Sequence, residues 1–316
     1  MGYHMKITSI ILTSLLLLVM VFGFVGCLPV DDDDNSSSSS DDNTPIEPEV
    51  FTFKLMCFNM RVQVGSTADK RVEYDTVDAR APLILKHIAD ADPDVICVQE
   101  WTGAHMIHVQ PELEEVYEVL TFERDLSECA AICYKRDRFE LVDTEHFWLS
   151  ETKEEYSAGW DAVYPRIYSA AILRDKKNGK VFRAGTTHID LAEIAQVEQR
   201  NMVVQHTANS SEPALICGDF NFNTISKLYP YCTEYLDDCR LLAPNAVTTA
   251  SYNGYDYDKT ILDKDGNVID GKGTPIDHIF VKRGAFTVHS YDVLNYLIEG
   301  KFSSDHFPLL VELSIN

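Results

Sequence analysis

Six polar clusters hold the residues of this 316-residue chain that could do chemistry. They are Asn59, Gln99-Glu100, Thr187-His188, Gly218-Asp219-Phe220-Asn221, Asp277-His278 and Ser303-Ser304-Asp305-His306. A single Asn or Asp at the end of a strand is usually a turn former, and a lone His usually packs. Six such clusters, all carboxylate, amide or imidazole and all at the ends of apolar runs, point instead to one assembled site. Carboxylate and amide oxygens suit a hard cation such as Mg²⁺. The sequence has no H-E-x-x-H and no C-x-x-C spacing, so zinc is disfavoured. A carboxylate-held cation beside two imidazoles is suited to phosphoryl chemistry, in which charge develops on oxygen and must be neutralised.

The apolar runs ending in these clusters predict the scaffold. Strands are expected over residues 51–58, 94–99, 130–134, 139–148, 168–173, 181–188, 214–217, 276–281 and 309–313. Helical spacing of Ala79, Leu83, Ile84, His87 and Ile88 predicts a helix over 76–91, with others at 192–208 and between 104 and 115. Many strands, a few helices and no internal repeat imply one layered α/β domain with mixed sheets over residues 51–316. Residues 252–273 form a polar excursion, read as a long hairpin or lid loop. Within it Asp263, Asp265 and Asn267 space like the start of a calcium loop. That loop needs Gly sixth and Glu twelfth, whereas Gly266 is fourth and Thr274 twelfth, so a hairpin turn is the better reading.

Composition bounds the partners. With 27 basic and 50 acidic residues the formal charge is −23. Eight of the acids but only one base precede residue 51, so the remainder still carries 42 acids against 26 bases. A protein gripping long nucleic acid shows a basic footprint, because phosphate neutralisation supplies much of that affinity. Net charge therefore disfavours nucleic acid as partner.

The N-terminus indicates the compartment. Ile7 to Val25 is an almost uninterrupted apolar stretch after Lys6. At its end Phe24-Val25-Gly26-Cys27 resembles the lipobox of bacterial lipoproteins, with Cys27 as the lipidated residue. The expectation is a signal peptide over residues 1–27 and anchoring to the cell envelope, at the outer membrane and cell surface or on the periplasmic face. Residues 28–50, rich in Asp and Ser, cannot bury enough apolar surface to fold and read as a disordered tether. Of the other seven cysteines, Cys57, Cys97 and Cys217 lie in apolar runs as small core residues. Cys232 and Cys239 could pair, but no essential disulfide is expected.

Taken in order along residues 51–316, the six clusters resemble the endonuclease/exonuclease/phosphatase superfamily. Gly218-Asp219-Phe220-Asn221 and Ser304-Asp305-His306-Phe307-Pro308 are the most specific elements. The resemblance implies a four-layer sandwich of two packed mixed β-sheets flanked by helices, and a Mg²⁺-dependent phosphoesterase in which Mn²⁺ could substitute. It implies that Glu100 ligates the metal, with Asn59 and Asp305 in or around its shell. Asp219 would orient the attacking water, helped by Asn221. His306, oriented by Asp277, and His188 would contact the scissile phosphate. Arg166 is a further candidate for phosphate contact, with an ordinary surface ion pair as its other reading. His278 is expected to pack.

Three functions fit. The first is hydrolysis of a phosphomonoester or phosphodiester of a small molecule, sugar phosphate or lipid headgroup outside the cytoplasm, favoured by acidity and the tether. The second is an extracytoplasmic nuclease, and the third a tethered binding protein without catalysis, which the intact set of polar residues disfavours. Specificity should lie in loops 61–74, 151–165 and 252–273. There Tyr156, Trp160, Tyr164 and Tyr255 could form an aromatic wall or cover the core.

Overall fold

Strands buried on both faces read as near-continuous apolar runs, and the first strand, β1 (Thr52–Asn59), is one of these. Its Phe53, Leu55 and Cys57 belong to one apolar cluster, while Met56 and Phe58 belong to another. Successive residues of a strand point to opposite faces, so β1 must be covered twice. The computed structural model describes residues 50–63, 72–123, 129–246, 249–256 and 275–316. The signal peptide, Cys27, the 28–50 tether except Val50, and the 263–274 turn lie outside the described residues.

Two six-stranded sheets supply the layers. After β1 come α1 (Val77–Ala91), β2 (Val95–Trp101), α2 (Gly103–His108), α3 (Gln110–Leu113), β3 (Tyr117–Glu123), β4 (Cys129–Lys135), β5 (Phe139–Trp148) and β6 (Ile167–Asp175). They are followed by β7 (Val181–His188), α4 (Glu193–Ala208), β8 (Ala214–Asp219), α5 (Tyr229–Tyr235), β9 (Leu236–Asp238) and α6 (Cys239–Leu242). Last come β10 (Asp277–Lys282), β11 (Phe286–Val293) and β12 (Leu309–Ile315). One sheet has the order β11-β12-β1-β2-β4-β3 and the other β5-β6-β7-β8-β10-β9.

The central core joins the inner faces, Leu55, Cys57, Ile132 and Leu313 of one sheet meeting Phe182, Leu215, Cys217 and Ile279 of the other. On the outer face of the first sheet, Phe58, Ile96 and Val98 pack against Ile84 and Ile88 of α1. On the outer face of the second, Ile216 and Phe280 pack against Val203 and Val204 of α4. This is the expected four-layer sandwich. Truncating one fully buried core side chain such as Leu55 to Ala should cost about 2–5 kcal/mol.

The register brings the polar clusters to one end. β1 and β2 run parallel with Asn59 opposite Gln99, and β7 and β8 run parallel with His188 opposite Asp219. β10 is antiparallel to β8, so its first residue, Asp277, lies opposite Asp219 at the end of β8. β12 is antiparallel to β1, with Leu309 opposite Cys57, which carries the preceding 303–308 segment to the same end.

Several elements differ from expectation. The helix expected between 104 and 115 is two, because Pro111 at the start of α3 has no N–H to continue the ladder and begins a new turn. Strands β3, β9 and β11 were not anticipated. β3 and β9 are edge strands of the two sheets, and β11, an edge strand too, alternates with polar residues rather than forming an apolar run. Cys57, Cys97, Cys129, Cys133, Cys217, Cys232 and Cys239 are free and buried.

Candidate active site

Backbone shape places the first two residues. β2 carries a register irregularity between Val98 and Trp101, and Glu100 there has φ +60°, a left-handed conformation uncommon outside glycine. Such strain persists where surrounding contacts enforce it. Here Val62 N–H donates to Glu100 Oε2 and Asn59 Nδ2 donates to Oε1 at 3.0 Å. The same Asn59 amide nitrogen donates to Asp219 Oδ2 at 3.2 Å. Asn59 thus ties together carboxylates from the two sheets, while its own oxygen accepts from Arg61 N–H at 3.0 Å.

A glycine lets the second sheet close on this point. Gly218 has φ +150°, and a Cβ built there would lie 1.9 Å from Thr187 O, so no larger residue fits without moving β7 away from β8. With glycine, His188 and Asp219 sit side by side, His188 Nε2 3.5 Å from Asp219 Oδ2. Asn221, also left-handed at φ +54°, donates its backbone N–H to Asp219 Oδ1 at 2.9 Å and its side-chain amide to Ile189 O at 2.8 Å. The amide is therefore held just beyond Asp219.

The third group completes the floor. His306 Nδ1 is hydrogen-bonded to Asp277 Oδ2 at 2.8 Å, and its Nε2 lies 3.6 Å from Asp219 Oδ2. Ser304 Oγ donates to Asn59 O at 2.7 Å, locking the 303–306 segment to the end of β1. Asp219, Asp277 and His306 offer ligand atoms within 4.8 Å of one another, a spacing compatible with a metal site. The charge on His306 argues against that use of it. Burial lowers its proton affinity, but Asp277 and Asp219 more than compensate and raise its pKa well above the usual 6.5. The raised proton affinity favours the imidazolium, which is suited to meet an anionic oxygen rather than a cation.

Glu100 is the better metal candidate. Burial alone would raise its pKa, but His188, Val62 N–H, Asn59 and His306 bring it down to about 2. It is ionised at all ordinary pH and lines the cleft. Hard oxygen donors of this kind fit Mg²⁺ or a similar ion. Asp219 moves the other way. Burial and the neighbouring Asp277 raise its pKa, opposed by the two histidines, which increases its affinity for a proton.

Asp305 is placed beside the site but engaged elsewhere, its Oδ2 accepting from Arg61 at 2.9 Å. Arg166 is buried rather than on the surface, its Nε 3.5 Å from Asp190 Oδ2, and it lines the same cleft. His278 packs as expected, its Nε2 hydrogen-bonded to Phe222 O at 2.8 Å among Phe220, Phe222 and Phe280. Tyr255 is not part of an open aromatic wall. It is buried, with its hydroxyl on Asp75. The cleft, about 380 Å³, is lined by Glu100, Arg166, His188, Asp219, Asn221 and His306, and also by Arg61, Leu191 and Tyr252, which the sequence reading did not single out. For Arg61 and Tyr252 the sequence signal was their place at the start of loops 61–74 and 252–273.

A two-sheet sandwich with carboxylates and imidazoles gathered at one end of its strands is the architecture of a phosphoesterase class. The model of the Endonuclease/Exonuclease/phosphatase family matches residues 56–306, and the chain belongs to that family. It is 28% identical to nocturnin of Drosophila melanogaster over 204 residues, 54% of this chain and 30% of that protein. It is 30% identical to protein angel homolog 2 of Mus musculus over 176 residues, 49% of this chain and 31% of that protein. The chain thus spans less than a third of the length of these two relatives. A family protein from Bacteroides thetaiotaomicron superimposes with a TM-score of 0.72 at 27% identity, covering 85% of this chain and 96% of that one. A mannosyl-6-phosphatase of the same organism superimposes with a TM-score of 0.69 at 28% identity, covering 83% of this chain and 99% of that one.

Proposed function

We propose that this protein is a Mg²⁺-dependent phosphoesterase that hydrolyses a small phosphorylated molecule, sugar phosphate or lipid headgroup, held outside the cytoplasm by a lipid on Cys27. The observation carrying this reading is the placement of Asp219 Oδ2 within 3.6 Å of both His188 Nε2 and His306 Nε2, with Asn59 Nδ2 at 3.2 Å. One carboxylate is thereby surrounded by the donors a phosphate needs and stands beside the carboxylate best suited to a metal. Glu100, with Asn59 beside it and Asp305 nearby, would hold Mg²⁺, for which Mn²⁺ could substitute. When bound, the ion supplies neutralising charge to phosphoryl oxygens.

The chain's own groups do the rest. Asp219, with raised proton affinity, orients a water and takes its proton. His306 donates Nε2–H toward a phosphate oxygen while Asp277 fixes the ring through Nδ1. His188 donates from the other side, and Asn221 holds the water or an oxygen. Preorganised donors of this kind act without reorganising during reaction.

The size of the cleft, the charge of −23 and the likeness to a mannosyl-6-phosphatase support a small substrate over a nucleic-acid polymer. The test is hydrolysis of sugar phosphates, a choline phosphodiester lipid and plasmid DNA, each with Mg²⁺ and with EDTA. Mg²⁺-dependent turnover of a small ester, strongest among the panel, is expected. Plasmid cleavage with salt-sensitive affinity would establish the nuclease instead, and no turnover of any member would leave a binding protein.

A further inference from the structure

Two arginines, Arg80 in the core and Arg61 at the cleft wall, join the parts of the site. Arg80 lies on the buried face of α1, fully inaccessible. Its Nη1 donates to Met60 O at 2.7 Å and to Ser303 O at 3.0 Å, and its Nη2 to Arg61 O at 2.9 Å. One planar guanidinium therefore holds both the segment following β1 and the segment preceding β12. The first segment continues directly from Asn59 and carries the Val62 N–H that grips Glu100. The second carries Asp305 and His306. His87, one heptad along the same helix face, adds a second hold on Ser303 through Nδ1 and Oγ at 2.7 Å.

Asp75 links this arginine to the next. Its carboxylate, completely buried, lies 3.6 Å from Arg80 Nε and accepts from Arg61 Nε and Nη2 at 2.8 Å each and from Tyr255 OH at 3.1 Å. Arg61 then reaches Asp305 through Nη1. Arg61 itself is left-handed at φ +58°, a conformation the ladder of contacts has to enforce. Among the described residues two cations, Arg61 and Arg80, and two carboxylates, Asp75 and Asp305, meet in a buried array. Buried ion pairs seldom add net stability over apolar packing, and their best-attested use is to specify geometry.

We infer that Arg80, Asp75 and Arg61 form a positioning brace that sets the separation between the Glu100 side of the site and the His306 side. The brace supplies no reacting group of its own; it reaches the site only through Arg61, which holds Asn59 and Asp305, so these are positioning residues for the reaction proposed above, and the inference rests on that reading for its kinetic part. A planar fork is required, because three carbonyls in two segments accept from one side chain. A lysine at position 80 offers a compact charge and cannot span them.

The test uses Arg80→Lys, Arg80→Met and Arg61→Lys in the full-length protein. The expected result is a fall in kcat of about thirtyfold to a hundredfold with KM changed by less than about threefold, as for misplacement of reacting groups by a fraction of their spacing. Arg80→Lys should rescue little. An Arg80→Met variant that is folded yet within twofold of wild-type kcat would overturn the inference. Amide hydrogen exchange supplies a readout independent of turnover. In Arg80→Met, exchange should accelerate at residues 60–62 and 303–306 together, while the Asn221 amide on Asp219 stays protected. Acceleration in one segment only, or equally at Asn221, would also overturn it. Because exchange needs no substrate, a wild-type protein inert toward every ester sinks the functional reading without touching the brace.

Discussion

The floor and the rim of the cleft are built on opposite terms. On the floor Asn59, Asp219, Asp277 and His306 are each at most 5% exposed, and every one has a hydrogen-bond or charge partner from a different strand end or segment. On the rim Leu191 is 69% exposed and Tyr252 41%. At the rim Tyr252 stands edge-on to His306, and the nearby 163–164 segment sets its backbone N–H groups on the Asp190 carboxylate. Buried polar groups are expensive to disturb and so fix a chemistry, whereas exposed loop residues can be exchanged at little cost. The proposed reaction is accordingly assigned to the floor and the proposed choice of substrate to the rim.

Substitution of the floor should do the most damage. Asp219→Ala is expected to lower kcat by at least about a hundredfold with the fold retained, checked by steady-state hydrolysis alongside circular dichroism. An active Asp219→Ala would break the contrast outright. Glu100→Gln should act on the metal rather than on the chemistry, raising the Mg²⁺ concentration for half-maximal rate by at least about tenfold. A Mg²⁺ titration with an unchanged midpoint would remove Glu100 from the metal site.

The pH response is next in size. His306 has its pKa raised in the folded protein, so its protonated form persists through neutrality and activity should fall as pH rises through that raised value. Its contribution to stability runs the same way, full below the unfolded pKa of about 6.5 and lost as pH rises through the folded one. Glu100, with a folded pKa of about 2, contributes stability above its unfolded value, lost as pH falls toward about 2. Replacing Asp277 by Asn removes the main group raising His306. It should move the basic limb of the rate profile down by about one unit or more, read from log kcat against pH. A limb that stays in place would show that His306 is not the group titrating there.

Rim changes should be smallest. Leu191→Ala is expected to raise KM by about threefold to tenfold for esters with an apolar leaving group and to leave a bare sugar phosphate within twofold. An equal change for both substrates would mean that the rim does not sort them.

The floor was legible in the sequence because its members flank apolar runs, Asn59 and Asp219 closing theirs and Asp277 and His306 standing before theirs, and parallel or antiparallel pairing brings such ends together. The reason for Gly218 itself appears only in the fold, where glycine alone permits the approach of Thr187. The brace was not legible. Asp75 and Arg80 sit in no motif, and Arg80 reaches Ser303 across 223 positions of chain. Edge strands such as β3 and β11 escaped for the opposite reason, that half-exposed strands need no continuous apolar run. Asp305 was expected near the metal, and only the fold shows Arg61 on its carboxylate.

The most direct test is hydrolysis of a phosphomonoester in water enriched with ¹⁸O, with the released phosphate and alcohol analysed by mass. If Asp219 aims water at phosphorus, one labelled oxygen enters inorganic phosphate in the wild type, the alcohol stays unlabelled, and Asp219→Ala releases almost none. Label in the alcohol, or undiminished labelled phosphate from Asp219→Ala, would contradict the account.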